Sequence, residues 1–251
     1  MSDITFAACD HCQSEGEVQL PANGEVGPLV CLNCNYMLNM ISVEPWRDFI
    51  NSRVAGFANL QQCGRLGTRK QAGEMSDSAI SRDGLEAELA ACLLLSPGKR
   101  DAWFAAEGPN RGNDLATEWT LLPKPVEVKQ TRYCDERRGC LIVRPPRNTP
   151  GTMRPEYIDD CIYVLMYGQQ GLYTFLGWTD RDHLLLCGEL NPIPTFSVRR
   201  ECWGMHWQCL KSPNSILDSL PSTTRQSAAY QSFSASVFEY QFAKRRAKVE
   251  F

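Results

Sequence analysis

The sequence predicts an α/β (α+β) fold: a mixed central β-sheet flanked by helices, with a small separate unit at the N-terminus. Three observations predict it. Apolar residues recur at helical spacing as far as Leu95, and from Asp114 onward they alternate as in strands. Cys161–Tyr167 and Leu172–Trp178 flank the turn Gly168-Gln169-Gln170-Gly171 and read as a hairpin. Two Cys-x-x-Cys pairs stand apart within residues 1–40. With 251 residues, 43% of them hydrophobic, the chain can bury one full domain core and still carry such an appendage.

Residues 1–40 form the first unit. Cys9-Asp10-His11-Cys12 and Cys31-Leu32-Asn33-Cys34 are separated by apolar stretches around Val18-Leu20 and Val26-Val30. Asn23-Gly24 between them suits a tight hairpin. Met1–Thr5 has neither the basic start nor the apolar run of a signal peptide, and no apolar stretch is long enough to span a bilayer. The expected location is therefore cytoplasmic, where thiols stay reduced and paired cysteines hold metal more often than they form disulfides. Four thiolates in tetrahedral array leave no open position, so Cys9, Cys12, Cys31 and Cys34 are expected to hold a structural Zn2+ as a zinc ribbon. An iron–sulfur cluster or two disulfides are the competing readings.

Residues 41–81 read as a helix and a linker. Trp46, Phe49, Ile50, Val54, Phe57 and Leu60 recur at helical spacing, with Pro45 in the first turn. Gly64–Ser81 is polar and rich in Gly, Lys and Arg; Arg65, Arg69, Lys70 and Arg82 offer contacts for phosphates, or simply a solvated loop.

Residues 82–220 form the predicted core. A helix over 82–95 presents Leu85, Leu89, Cys92 and Leu93 on one face, and Ser96-Pro97-Gly98 stops it. A strand is expected from Leu115 to Leu121, with Asp114, Ala116 and Glu118 on the face opposite Leu115, Thr117 and Trp119. Pro123-Lys124-Pro125 breaks it, and a second strand begins at Val126. Cys140–Val143 is a third, followed by the hairpin and a short helix over Asp180–Leu186. Residues 188–220 read as irregular, and 221–251 as a polar tail ending in a helix over 233–248 with Lys244-Arg245-Arg246 on its polar face.

The chemistry concentrates at Glu127-Val128-Lys129. Residues two apart on a strand share a face, so Glu127 and Lys129 project together while Val126 and Val128 point into the core. Asp114, on the preceding strand, is close enough in sequence to join them. Two carboxylates suit a hard cation such as Mg2+ or Mn2+, with the backbone carbonyl of Val128 completing the shell. A bound cation activates water and neutralises charge on a phosphate, and Lys129 then positions the water or holds the phosphate. A surface Glu–Lys pair is the bland alternative.

Asp114 after Gly112-Asn113, the apolar-Glu-apolar-Lys strand of Glu127 and Lys129, an acidic residue in the preceding helix and the later hairpin together resemble the PD-(D/E)xK nucleases, the restriction endonuclease-like fold. The resemblance covers roughly residues 82–180 as an order of elements. It implies that Asp114 and Glu127 hold the metal, that Lys129 assists hydrolysis, and that a helix acid completes the catalytic set. Of Glu86 and Glu88, Glu86 is preferred, because Leu89 and Leu93 follow three and seven residues on. Asn113 stands where the motif has Pro, a position variable across the family. Gln130 directly follows the Lys, as in some members.

The expected activity is an Mg2+-dependent endodeoxyribonuclease acting on DNA, with RNA as an alternative substrate. The expected partners are nucleic acid rather than membrane, and a second copy or a larger nucleic-acid-processing complex. The competing function is a zinc-ribbon nucleic-acid-binding or adaptor protein with a non-catalytic nuclease-like domain. A net charge of -3 is compatible with a nuclease, whose basic surface is local and whose site needs carboxylates. No phosphate-cradling GxxxxGK[ST] run is present, so ATP hydrolysis is not expected, and His183 has no adjacent nucleophile. Cys202, His206 and Cys209 have partial metal-ligand spacing, but Trp203 and Trp207 among them favour a packed apolar segment. Cys63, Cys92, Cys134, Cys140, Cys161 and Cys187 read as small buried residues.

Overall fold

A computed structural model describes residues 4–8, 15–19, 30–33, 41–62, 77–96, 103–104, 114–134, 139–145, 152–193 and 201–220. The class is mixed α and β, around a mixed sheet. Strands β1 (Ile4–Ala8), β2 (Glu15–Gln19) and β3 (Val30–Cys31) form a small antiparallel sheet of their own. The antiparallel pairing of β2 with β3, Val18 opposite Cys31, matches the two strands expected there. Cys9, Cys12 and Cys34 lie outside the described residues, as do residues 63–76 and the tail 221–251.

The central sheet contains β4 (Ile41–Ser42), β5 (Val126–Thr131), β7 (Ile162–Gln169) and β8 (Leu172–Asp180), in the order β4-β8-β7-β5. Its β5–β7 pair is parallel and the others are antiparallel. A parallel pair needs a long crossover, and here the crossover contains β6 (Cys140–Val143). β6 pairs with β10 (Trp203–His206), which pairs with β9 (Glu189–Leu190), making a second sheet. Helices α1 (Arg47–Gln62) and α2 (Asp77–Leu95) lie between β4 and β5, and α3 (Arg181–Cys187) follows β8.

Strand alternation divides the interior in two. Val126, Val128, Ile162, Val164 and Met166 share one core with Leu85, Leu89 and Cys92 of α2. Tyr163, Leu165 and Tyr167 project from the other face and pack with Leu141 and Met205 of the second sheet and with Trp207 in the 3-10 turn after β10. Leu89 is fully buried, and truncating such a leucine to alanine costs about 2–5 kcal/mol. Among the described residues no helix is long and apolar enough to cross a membrane.

Four expectations need correction. α2 begins at Asp77, ahead of the anticipated residue 82. The strand expected over 115–121 is a single bridge, Leu115 to Val126, followed by a 3-10 turn at Thr117–Trp119. Leu115 and Leu122 are buried and Trp119 is partly so; their spacing of four and three residues is that of one helical face, not of a strand. The described parts of the segment read as irregular, 188–193 and 201–220, contain β9, β10 and a 3-10 helix at Pro213–Ser219. β10 lies close against β6 because Gly204 has no side chain: a Cβ there would stand 2.5 Å from the Leu141 carbonyl oxygen. Cys187, at the last turn of α3, is exposed rather than buried, whereas Cys92, Cys134, Cys140 and Cys161 are buried as expected. Cys63 lies outside the described residues.

Candidate active site

β5 forms as the sequence dictates. Its valines are buried against α2, which turns Glu127 and Lys129 to the opposite face, with side chains 24% and 27% exposed. Lys129 Nζ donates to Glu127 Oε1 at 2.5 Å. Burial alone lowers the pKa of the Lys129 ammonium, but the Glu127 and Asp114 carboxylates outweigh it and hold the group above its ordinary value.

The other edge of β5 positions Asp114. Residues 127 and 129 direct their backbone groups toward β7, so 126 and 128 direct theirs away from it. Val126 exchanges two hydrogen bonds with Leu115, of 3.0 and 2.8 Å. At the next rung the Val128 amide donates to Asp114 Oδ2 at 2.7 Å. By the same strand geometry the Val128 carbonyl faces the edge on which Asp114 lies. Asp114, Glu127 and Lys129 are thus brought together by one strand and the turn beside it.

Glu127 and Lys129 line a cleft of about 390 Å³. The remainder of its lining comes from elements the sequence reading did not connect with them: Ile142, Val143 and Arg144 at the end of β6, Tyr157 from a 3-10 turn at Pro155–Tyr157, and Asp159. Tyr163 forms a buried part of the lining, and its hydroxyl donates to the Asp159 carbonyl at 3.2 Å. Tyr163 stands directly opposite Glu127 in the parallel register, which carries the Tyr157–Asp159 segment to Glu127. Burial pushes the neighbouring Cys161 thiol up to about 12, so it is a protonated filler and not a nucleophile.

Glu86 is not brought to this group. It is buried at 6% exposure and accepts from the Gly171 amide at 2.9 Å and the Tyr173 hydroxyl at 3.0 Å. Tyr173 pairs with Gly168, which lies five residues along β7 from Tyr163, or roughly 17 Å at the rise of a strand. α2 also packs on the face opposite Glu127 and Lys129. One turn earlier on α2, Asp83 is buried, and Arg132 from the end of β5 donates to its Oδ2 at 2.6 Å. Burial raises the Asp83 pKa despite that guanidinium. Both acids therefore anchor α2 to the sheet.

His183 and the Cys202–Cys209 segment have structural partners. His183 Nδ1 lies 3.0 Å from the hydroxyl of Thr179, which is fully buried. Cys202 is buried, Cys209 is exposed, and Trp207 packs in the second core, in keeping with an apolar segment. Among the described residues no three His, Cys, Asp or Glu side chains converge as a metal-binding group. No family model, curated protein or solved structure matches the chain.

Proposed function

We propose that the chain is a metal-dependent nuclease that hydrolyses phosphodiester bonds in DNA, with Asp114 and Glu127 as metal ligands and Lys129 as the residue that orients the attacking water. The observation that supports this reading best is the placement of Asp114 at the edge of β5 and of Glu127 and Lys129 on its face, the latter two lining a cleft. The donor set fits a hard dication: two carboxylates and the Val128 carbonyl are all oxygen, and Mg2+ or Mn2+ fills the rest of its shell with water and substrate oxygens. These carboxylates already flank one positive charge, the Lys129 ammonium. Bound there, the ion would lower the pKa of a coordinated water and neutralise charge developing on the phosphate.

The residues divide the remaining work. Glu127 and Asp114 supply negative charge from two directions, the β5 face and the β5 edge. Lys129 is held as an ammonium, so it donates hydrogen bonds and does not abstract a proton; it holds the water or a phosphate oxygen in line. The proposed structural Zn2+ at Cys9, Cys12, Cys31 and Cys34 belongs to a separate N-terminal unit that adds nucleic-acid contacts. RNA is the alternative substrate, and cutting both strands of a duplex calls for a second copy of the chain.

The test is cleavage of plasmid, linear and single-stranded DNA with Mg2+, Mn2+ or EDTA, comparing the wild type with Glu127→Ala and Lys129→Ala. Metal-dependent cutting lost in both variants is expected. Cutting that persists in either variant would sink the assignment.

A further inference from the structure

We infer that the cleft beside Glu127 and Lys129 receives one unpaired nucleotide, which makes single-stranded DNA the preferred substrate of the proposed nuclease. The inference rests on that functional reading for the position of the scissile phosphate. Its own support is the composition and size of the lining.

A volume of about 390 Å³ is in the range of pockets that enclose a small organic molecule. It holds a single nucleotide and has no room for a paired base and its partner. Its lining is also divided by chemistry. Tyr157 and Ile142 reach it from different elements, a 3-10 turn and strand β6, and supply an aromatic ring and an aliphatic branch. A planar base stacks on such surfaces whatever its identity. Arg144, exposed at the end of β6, supplies a planar guanidinium suited to a phosphate oxygen. Glu127 and Lys129 stand on the strand where the reacting phosphodiester would lie. Base surface, phosphate donor and reacting groups thus occur within the span of one nucleotide.

The anionic groups of the cleft sharpen the selectivity. Glu127 and Asp159 oppose Lys129 and Arg144, so the lining has no net positive charge. The lining therefore adds little long-range attraction for any polyanion, and stacking of an unpaired base, which a duplex withholds, favours the single strand.

The experiment is fluorescence anisotropy of a labelled oligodeoxynucleotide of about 12 nucleotides, within the range of single-strand site sizes. It is read beside the same sequence as a duplex, with no divalent cation added so that no cutting intervenes. The full-length wild type is expected to bind the single strand about tenfold more tightly than the duplex. Tyr157→Ala should lose about tenfold for the single strand and little for the duplex, while Tyr157→Phe keeps the wild-type value. Arg144→Gln, at an exposed position that leaves the fold intact, should reduce the slope of log affinity against log salt by about 1. Equal or tighter duplex binding would overturn the inference. So would single-strand affinity unchanged in Tyr157→Ala, or a salt slope unchanged in Arg144→Gln. Metal-dependent cutting restricted to duplex would discard the pocket and keep the nuclease. Tyr157-dependent single-strand binding without any cutting would discard the nuclease and keep the pocket.

Discussion

The amide of Val128 donates to the carboxylate of Asp114 at 2.7 Å, at the rung of β5 where a neighbouring strand would otherwise continue. A side chain there does the work of a backbone, and in doing so it holds a carboxylate at the edge of the strand that bears Glu127 and Lys129. Asp114 therefore has a structural task and, on the proposed function, a chemical one, and substitutions separate them. Asp114→Asn keeps an acceptor for Val128 and should retain most of the stability, yet lose at least about 100-fold in cleavage through the missing charge. Asp114→Ala loses both, with an unfolding free energy lower by about 1.5–3 kcal/mol, the contribution of a hydrogen bond to a charged group. Denaturant titration beside a cleavage assay reads the two effects, and full activity in Asp114→Asn would remove it from the site.

Glu86 is expected to matter for stability alone. Its carboxylate satisfies the Gly171 amide and the Tyr173 hydroxyl inside the protein. Glu86→Ala leaves the buried Gly171 amide without this acceptor, at about 1–3 kcal/mol, and leaves the Tyr173 hydroxyl with only the Asp83 carbonyl at 3.3 Å. Glu86→Gln keeps the side-chain carbonyl as an acceptor and should lose less. At a temperature where the variant remains folded, its turnover per folded molecule should equal that of the wild type. A drop of about 100-fold in Glu86→Gln without loss of stability would return Glu86 to the catalytic set.

The end of β8 predicts a pH dependence. Asp180 caps α3 by accepting from the His183 amide at 2.9 Å and pairs with Lys211 at 2.5 Å. Burial pushes its carboxyl up, but Lys211 and the His183 amide more than offset this, and the folded pKa lies below the ordinary 3.8. A depressed carboxyl pKa contributes stability that is present above the unfolded value and is lost as pH falls through the folded one. The stability gap between wild type and Asp180→Asn should therefore be flat near neutrality and close below about pH 4. His183 runs in the same sense: burial and then Lys211 depress it below 6.5, against the pull of Asp180. NMR titration of His183 should give a pKa lowered further in Asp180→Asn and raised in Lys211→Gln; movement in the opposite directions would refute this arrangement.

Gly168 is the most constrained glycine of the hairpin. Its φ of 149° is one that side chains avoid, and a Cβ would stand 2.0 Å from the Leu172 carbonyl oxygen. Its own carbonyl accepts from the Gln130 side chain at 2.7 Å, tying the hairpin to β5. Gly168→Ala should cost at least about 2 kcal/mol, from backbone strain and the displaced strand together. A thermal melt unchanged from wild type would show that the hairpin relaxes freely.

What could be read from the sequence was local. Phe49, Ile50 and Val54 announce α1, and the valines flanking Glu127 fix which way that acid points, because both patterns depend on neighbours a few residues apart. The hairpin was equally legible, and Gln170 and Gly171 adopt the positive φ values of a two-residue turn. The far side of the cleft was not. Tyr157 and Asp159 reach Glu127 through a parallel pairing, and Arg144 from the end of β6 in a second sheet, neither of which any nearby spacing records. Glu86 has the same history: its partners, Gly171 and Tyr173, are more than 80 residues away in the chain, so its helix face alone gave no sign that they would claim it. The 115–121 segment shows the opposite hazard, since apparent alternation of Leu115, Thr117, Trp119 and Leu121 concealed the Leu115-Trp119-Leu122 spacing that packs.

The parallel register also imposes an order of events. Glu127 and its neighbour Tyr163 are separated by 36 positions, so the acid-bearing strand has nothing to pair with on that edge until β7 has been synthesised. Distant pairings close late, because the chain entropy of the intervening loop must be overcome first. While the polypeptide is still being elongated on the ribosome, Glu127 and Lys129 lie on an unpartnered ribbon with no cleft beside them. A nuclease of the proposed kind would thereby lack its cleft until β7 has emerged, a delay set by topology alone.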